Sequence, residues 1–291
     1  MRIKYCIALS IFLLGFYHSE SRQNERFEVK VKPSNDVYCF QDNKFTAIAS
    51  AKDILIINNE AGVVSKTLSS HSSIVTDLHA SPSSELLVSA SKDKTAIIWD
   101  YKNGLKKKVL KGHKKSVIEA GFIGNDKVAT ISDDNTLKIW DVETGTVIKT
   151  VTDHEKGLSA LATSKKFIAT GDSRGRLIIR DVEDEYKISI NTILNAQVTS
   201  LAIDHNDATL FVGLKNGDIF SFDLKSGQTK PKINNGNSPI NDLYVASDNK
   251  HLVVSAGDCR VYQVDGMNLI KEVDKVASKV LAAAISPDGD G

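Results

Sequence analysis

Seven histidines, His18, His71, His79, His113, His154, His205 and His251, are the side chains of this 291-residue chain best suited to acid–base or metal chemistry. Their spacing does not support either. A zinc peptidase needs two His around a Glu on one helical turn, and no HExxH occurs. Nor does the chain carry a GxSxG nucleophile elbow, a GxxxxGK[ST] phosphate loop or a GxGxxG dinucleotide turn. Cys6, Cys39 and Cys259 form no CxxC pair, and an odd number builds no disulfide framework, so they read as ordinary thiols. No catalytic, cofactor-binding or metal-binding residue is assigned from these patterns. His205, Asn206 and Asp207 read as an inter-strand turn.

Lys and Arg total 37 against 36 Asp and Glu, a net charge of +1. Without a global field to draw the chain onto nucleic acid or an anionic membrane, any electrostatic partner has to be met by a local patch. The first residues form a separate unit. Arg2 and Lys4 are basic, Cys6 to Tyr17 is a 12-residue apolar run, and Ser19 and Ser21 offer small residues for cleavage. That is the pattern of a secretory signal peptide over residues 1–21. The run is too short for a stable membrane anchor, which takes roughly 20 apolar residues. A buried strand is the other reading of the same residues. No Asn stands in an N-x-[ST] sequon, which weighs against a lumenal protein. The secretory pathway and the cytoplasm therefore both stay open.

What must position any functional side chain is a repeat. Trp99–Asp100, Trp140–Asp141, Arg180–Asp181, Phe222–Asp223 and Val264–Asp265 close similar segments, with successive separations of 41, 40, 42 and 42 residues. One step back from Asp100 reaches Asn59, which gives six copies. Each reads as four short strands rich in Val, Ile and Leu, bounded by Gly, Asp, Asn and Ser; in the second copy these are Ile74–Ser81, Glu85–Ser91, Thr95–Tyr101 and Lys106–Lys111. The fold is all-β. A four-stranded sheet of this size cannot cover both its faces alone, so the copies stack around an axis as the blades of a β-propeller.

Residues 86–100 (LLVSASKDKTAIIWD) and 127–141 (KVATISDDNTLKIWD), with Gly112 and His113 between them, resemble the WD-repeat family. The resemblance runs over roughly residues 27–286, and it places a single propeller in residues 22–291. It implies a hydrogen-bonded tetrad of His, Ser or Thr, Asp and Trp inside a blade. The matching residues are His71, Ser89, Asp93 and Trp99, then His113, Thr130, Asp134 and Trp140; their role is structural, since a buried carboxylate needs the donors that the other three supply. The fourth copy keeps His154 and Thr170 but has Arg174 and Arg180 where Asp and Trp belong. The fifth has Asn216 and Phe222, and the sixth Asp258 and Val264. These three blades are expected to rest on apolar packing.

The family resemblance also implies seven blades. Phe27–Lys32 reads as the outer strand of the last blade and Val280–Ser286 as its innermost strand, with the two middle strands due near residues 291–308 and missing. The expectation is a seven-bladed propeller whose last blade is incomplete; the alternative is six blades with two spare strands.

Lys92 and Lys94 flank Asp93 in a loop between second and third strands, and Lys111, Lys114 and Lys115 surround Gly112 and His113 in a loop between blades. The resemblance puts both loop types on one face, with Arg174 and Arg176 of the fourth blade beside them. A basic sector across blades 2 to 4 is the candidate partner-binding site, for an acidic or phosphorylated peptide. The acidic loop Asp181 to Glu185, on the opposite rim, reads as a solvated turn. Few aromatics interleave these lysines, so nucleic acid is not the expected ligand. The leading function is a non-catalytic adaptor that binds protein partners and needs no cofactor; the alternative is a secreted or lumenal propeller hydrolase or ligand-binding protein.

Overall fold

The computed structural model describes residues 5–9, 14–17, 26–29, 34–40, 44–155, 157–230, 233–246, 248–264, 268–273 and 280–285. The described elements are all strands, arranged as antiparallel four-stranded sheets. Six of these are blades of consecutive strands. Blade 1 is Ser34–Cys39, Phe45–Ser50, Asp53–Asn58 and Val63–Ser69. Blade 2 is Val75–Ala80, Leu87–Ser91, Thr95–Asp100 and Leu105–Lys111, and blade 3 is Val117–Ile123, Lys127–Ser132, Leu137–Asp141 and Val147–Val151. Blade 4 is Leu158–Thr163, Phe167–Asp172, Arg176–Asp181 and Lys187–Ile193, and blade 5 is Val198–Ile203, Thr209–Leu214, Asp218–Asp223 and Ile233–Asn234. Blade 6 is Asp242–Val245, His251–Ser255, Cys259–Gln263 and Leu269–Val273.

The first strand of each blade lies innermost, packed against the first strands of its neighbours, and the fourth forms the rim. The burial patterns follow from that order. Leu87–Ser91, covered by a blade on each side, is buried at every position, whereas Val147–Val151 on the rim is exposed at four of its five. Each apolar cluster spans two blades. Trp99 and Tyr101 of blade 2 pack with Phe40, Ile54 and Ile56 of blade 1, and Trp140 of blade 3 packs with Val88 and Ile98 of blade 2. Blades cohere because each lends its neighbour half a core.

Six blades of consecutive strands are the number in the six-bladed alternative, and the expected seven-bladed ring with an unfinished last blade is corrected here. The chain ends form a further four-stranded sheet, in which Val280–Ile285 pairs with Tyr5–Leu9, followed by Leu14–Tyr17 and Arg26–Val29. Its strand Val280–Ile285 lies beside the first strands of blades 1 and 6. The middle strands were expected beyond residue 291. They come instead from within residues 5–17, where an apolar run reads the same as two short strands because periodicity cannot separate the two. The other residues of the expected 1–21 leader lie outside the described residues.

A chain beginning at Arg22 lacks two of the four strands in this sheet and bares the backbone edges of the other two. Thermal unfolding followed by circular dichroism is expected to fall by at least about 5 °C relative to the full chain. An unchanged midpoint would show that these strands add nothing to the ring.

Candidate functional site

Two sets of polar residues are built into the blades, one where loops meet on a face and one around the axis. In the first, His71 lies between Asp93 and Ser89, with Nδ1 2.8 Å from Asp93 Oδ2 and Nε2 2.8 Å from Ser89 Oγ. The Trp99 indole donates to the same Ser89 Oγ at 2.9 Å. A carboxylate only accepts, so Nδ1 carries the imidazole proton, Nε2 accepts from the Ser89 hydroxyl, and every group is satisfied. Blade 3 repeats the arrangement: His113 bonds Asp134 at 3.0 Å and Thr130 at 2.7 Å, and Trp140 donates to Thr130 at 2.8 Å. The structure thus brings the four residues of each set into contact.

Asp, His and a hydroxyl in this order are also the parts of a hydrolytic triad. Here they cannot act as one. Ser89 and Thr130 are 0% exposed, so no substrate carbonyl reaches either oxygen, and each already receives an indole N–H. The carboxylates instead pin turns. Asp93 accepts from Ser72 N–H and from the Thr95 hydroxyl, tying the loop between blades 1 and 2 to the second turn of blade 2. Burial raises the Asp134 carboxyl, but the Thr136 hydroxyl, the Lys114 N–H and His113 outweigh it and hold the group at about 2. Burial also keeps His71, His113 and His154 below their usual value, against the pull of their Asp partners, so the imidazoles are neutral.

Blade 4 departs from the sequence expectation. His154 keeps Thr170 at 2.9 Å, and its carboxylate comes from Asp172 at 2.9 Å, two residues before the aligned Arg174. Asp172 is 2% exposed and also accepts from the N–H groups of Arg174 and Arg176. Arg180, in the Trp position and 5% exposed, is ion-paired with Asp153 and donates to Tyr186 O at 3.1 Å. In blade 5 the buried carboxylate is Asp218, two residues after the aligned Asn216, with amide donors from Asn195, Asn216 and Asn234. In blade 6 Asp258 pairs with Arg260 at 2.8 Å, and the Tyr262 hydroxyl donates to buried Asn235 at 2.6 Å. Apolar packing alone therefore does not describe these blades. The signal for Asp172 was in the sequence: a carboxylate within reach of His154 satisfies the imidazole wherever the turn places it, and alignment by position overlooks that.

The second set surrounds the axis, which is open as a cavity of about 380 Å³. Asp36, Asp77 and Glu119 lie at one register position of the inner strands of blades 1, 2 and 3. Each reaches the next blade, accepting from Leu78 N–H at 2.7 Å, Ala120 N–H at 2.8 Å and Leu161 N–H at 2.6 Å. In blade 5 the same job falls to the Ser200 hydroxyl, 2.9 Å from Leu243 N–H. Burial raises all three acids, Asp36 to about 6, Glu119 to about 8 and Asp77 well above the usual range, and repulsion from other carboxylates adds to it at Asp77 and Glu119. No sequence motif marked this ring, although its members are spaced at about the repeat length.

The basic residues lie on the turns and loops where the first set is anchored. Lys92 N–H bonds Ile74 O at 2.9 Å and Lys114 N–H bonds Asp134 at 2.7 Å, so turns between second and third strands abut the loops between blades. Lys92, Lys94, Lys111, Lys114 and Lys115 are exposed, and none is ion-paired among the described residues. Lys94 adopts a left-handed backbone, φ 73°, at a turn position held by Asn135 and Gly175 in blades 3 and 4. A lysine is strained there by about 1 kcal/mol. The two arginines are engaged in their own blade: Arg174 pairs with Glu155 at 3.0 Å, both exposed, and Arg176 bonds Asn191 and Asp153 O.

Residues 62–100 and 104–141 match the family described as WD domain, G-beta repeat, and residues 144–282 match Vps8 beta-propeller. The chain carries WD repeats within a β-propeller. Among its relatives is the 26S proteasome regulatory subunit RPN14 of Saccharomyces cerevisiae, 27% identical over 254 residues, covering 76% of this chain and 60% of the relative's length. The propeller thus spans under two thirds of that protein. Eukaryotic translation initiation factor 3 subunit I of Nematostella vectensis is 27% identical over 77% of this chain and 73% of its own length. A solved structure of U3-55K superposes with a TM-score of 0.80 over 88% of this chain and 86% of its own, at 15% identity, which is a likeness of fold.

The two polar sets give opposite tests. Asp172→Ala should lower stability in urea unfolding by about 1–3 kcal/mol, because His154 and two backbone N–H groups lose their acceptor, while Arg174→Ala should change it by under about 0.5 kcal/mol. Equal effects would show that Asp172 does not fill the tetrad position. At the axis, a carboxyl that holds its proton more tightly when folded supports folding fully below its unfolded value. It loses that support as pH rises through the folded value, for Glu119 from near 4.5 to about 8. Glu119→Gln keeps a carbonyl acceptor for Leu161 without the charge. It should leave stability at pH 4 unchanged and raise it at pH 8 by about 1–3 kcal/mol; a gain at pH 4 equal to that at pH 8 would remove the titration as its cause.

Proposed function

We propose that this propeller is an interaction platform without chemistry of its own, and that the basic sector on one face docks an acidic or phosphorylated peptide segment of a protein partner. The observation that carries the proposal is the cluster of exposed, unpaired lysines on turns that buried carboxylates hold in place. Rigid turns present charge without a further ordering cost on binding. The strained Lys94 supports the same reading, since Asn or Gly at that turn position would relieve the backbone and give up the charge. Arg174 stands at the sector's edge, where its exposed pairing with Glu155 is weak enough to exchange for a ligand carboxylate or phosphate. Arg176, tied to Asn191 and Asp153, frames the site from the blade 4 side.

WD-repeat relatives agree with a scaffold role. The names of two of them place those proteins in the 26S proteasome and in translation initiation factor 3. A partner for this chain is a protein of that general kind, met through the propeller face.

Replacing Lys92, Lys94, Lys114 and Lys115 together with Gln is expected to weaken capture of an acidic peptide by about 10-fold or more at 0.1 M salt. It should also flatten the salt dependence, because exposed charges act over about a 10 Å screening length. Titration of a labelled peptide by fluorescence anisotropy reads both quantities. Unchanged affinity and unchanged salt dependence would remove the basic sector as the docking site.

A further inference from the structure

Between Lys92 and Lys115 the chain carries nine lysines and only two carboxylates, in a protein whose net charge is +1. Both carboxylates are committed within the blade. Asp93 holds His71 and Thr95, and Asp100 accepts from the N–H and side chain of Asn103. The positive charge continues past the loops of the proposed docking face. Lys106, Lys107 and Lys108 lie along Leu105–Lys111, the rim strand of blade 2, and Lys102 lies in the turn before it. Lys102, Lys106 and Lys107 are exposed and Leu105 beside them is 58% exposed; Lys106 donates to Ser70 Oγ and Lys102 sits over the Tyr101 ring, but none of the four lysines is ion-paired among the described residues.

A lysine on a rim strand has an ordinary use, since charge on an exposed sheet edge prevents pairing with other chains. The neighbouring blades show how little that use requires. The rim strands of blades 1, 3 and 4 carry one lysine each, Lys66, Lys149 and Lys187. Lys149 donates to Glu185 O and sits over the Tyr186 ring, and Lys187 pairs with Asp184. Blade 2 carries four on the same element, Lys106, Lys107, Lys108 and Lys111. At Lys107 the strand bulges: Ile98 faces Lys108 and Trp99 faces Lys106, so Lys107 is the extra residue. A bulge bends a strand edge and interrupts ladder pairing. The rim strands of blades 1, 3, 4 and 6 bulge in the same way, so the lysines rather than the bulge distinguish blade 2.

We propose that the acidic partner segment does not stop at the face but runs over the rim of blade 2, along Leu105–Lys111, as an extended Asp/Glu-rich stretch. The inference rests on the docking face proposed above and extends it. Lysines are flexible point charges that suit a row of carboxylates, whereas phosphate selection favours the planar arginine fork. The arginine beside this sector that has no partner but an exposed glutamate, Arg174, lies two blades from the rim strand. Seven extended residues cover about 24 Å of rim, so a ligand that engages both face and rim is longer than seven residues.

The test uses the full chain and fluorescein-labelled Glu/Ser peptides of about 6 and 14 residues, the shorter one also with phosphoserine, and oligo-dT of equal charge as a nucleic-acid probe. Anisotropy titrations compare the unaltered protein with a rim variant, Lys106→Gln with Lys107→Gln and Lys108→Gln, and a face variant, Lys92→Gln with Lys94→Gln, Lys114→Gln and Lys115→Gln. Melting curves check that both variants are folded. The expected result is that the long peptide binds about 10-fold tighter than the short one, that the rim variant abolishes this advantage while leaving the short peptide within about 2-fold, and that the face variant weakens both. If the rim variant binds the long peptide as well as the unaltered protein does, the rim path fails while the docking face stands. If no peptide binds, both fail. Tighter binding of oligo-dT than of the long peptide, or of the short phosphopeptide than of the long peptide, overturns the carboxylate-rich partner.

Discussion

The ring depends on one backbone problem. Each innermost strand is the edge of its own sheet, so N–H groups that face the axis have no ladder partner, and a buried N–H without an acceptor is costly. The solution is to borrow an acceptor from the preceding blade. Asp36, Asp77 and Glu119 each reach across, and Ser200 does so with a hydroxyl. The bonds are reinforced from the other direction by bulge residues: the Thr76 hydroxyl donates to Val117 O and the Ser159 hydroxyl to Val198 O. In blades 1 to 5 the pairing of the first two strands slips at this same point, which turns the side chains toward the neighbouring blade. Closing the ring this way buries three carboxyls around one axis, and that burial, with like charge added at Asp77 and Glu119, raises their proton affinities.

The triads solve a related problem at one face. A turn between strands has few backbone bonds of its own, and Asp93, Asp134 and Asp172 each collect N–H groups from their own turn or from the loop that enters the blade. His then links that carboxylate to a hydroxyl inside the sheet. The parts are those of a hydrolase, but the hydroxyl oxygens are sealed beneath the blade interface, and the same geometry that could activate a nucleophile serves to fix a loop. Blade 4 shows what the arrangement requires. It tolerates moving the carboxylate by two residues and exchanging Trp for an ion-paired Arg, because the requirement is a satisfied imidazole rather than a fixed sequence position.

Rigid turns and uneven charge together make a surface. The chain is nearly neutral, yet its lysines gather on one blade and the loops beside it. In other blades some basic groups are ion-paired, Arg180 with Asp153, Arg260 with Asp258 and Lys187 with Asp184. Charge left unspent on a well-held surface is the property an interaction platform needs.

The 40-residue period, the four-strand blades and the tetrads of blades 2 and 3 were legible in the sequence, because local strand patterning and the spacing of His, Ser or Thr, Asp and Trp are fixed within one repeat. So was the clustering of Lys92, Lys94 and Lys111 to Lys115, which are neighbours along the chain. Contacts between repeats were not. The acceptor for Leu78 N–H lies 42 residues away in Asp36, and nothing local marks either residue. The source of the last sheet's middle strands was hidden for the same reason, since an apolar run such as residues 6–17 does not specify its partner strand. Tertiary structure decided these features: an edge backbone group takes the acceptor that the closed ring brings to it, and that acceptor belongs to another blade.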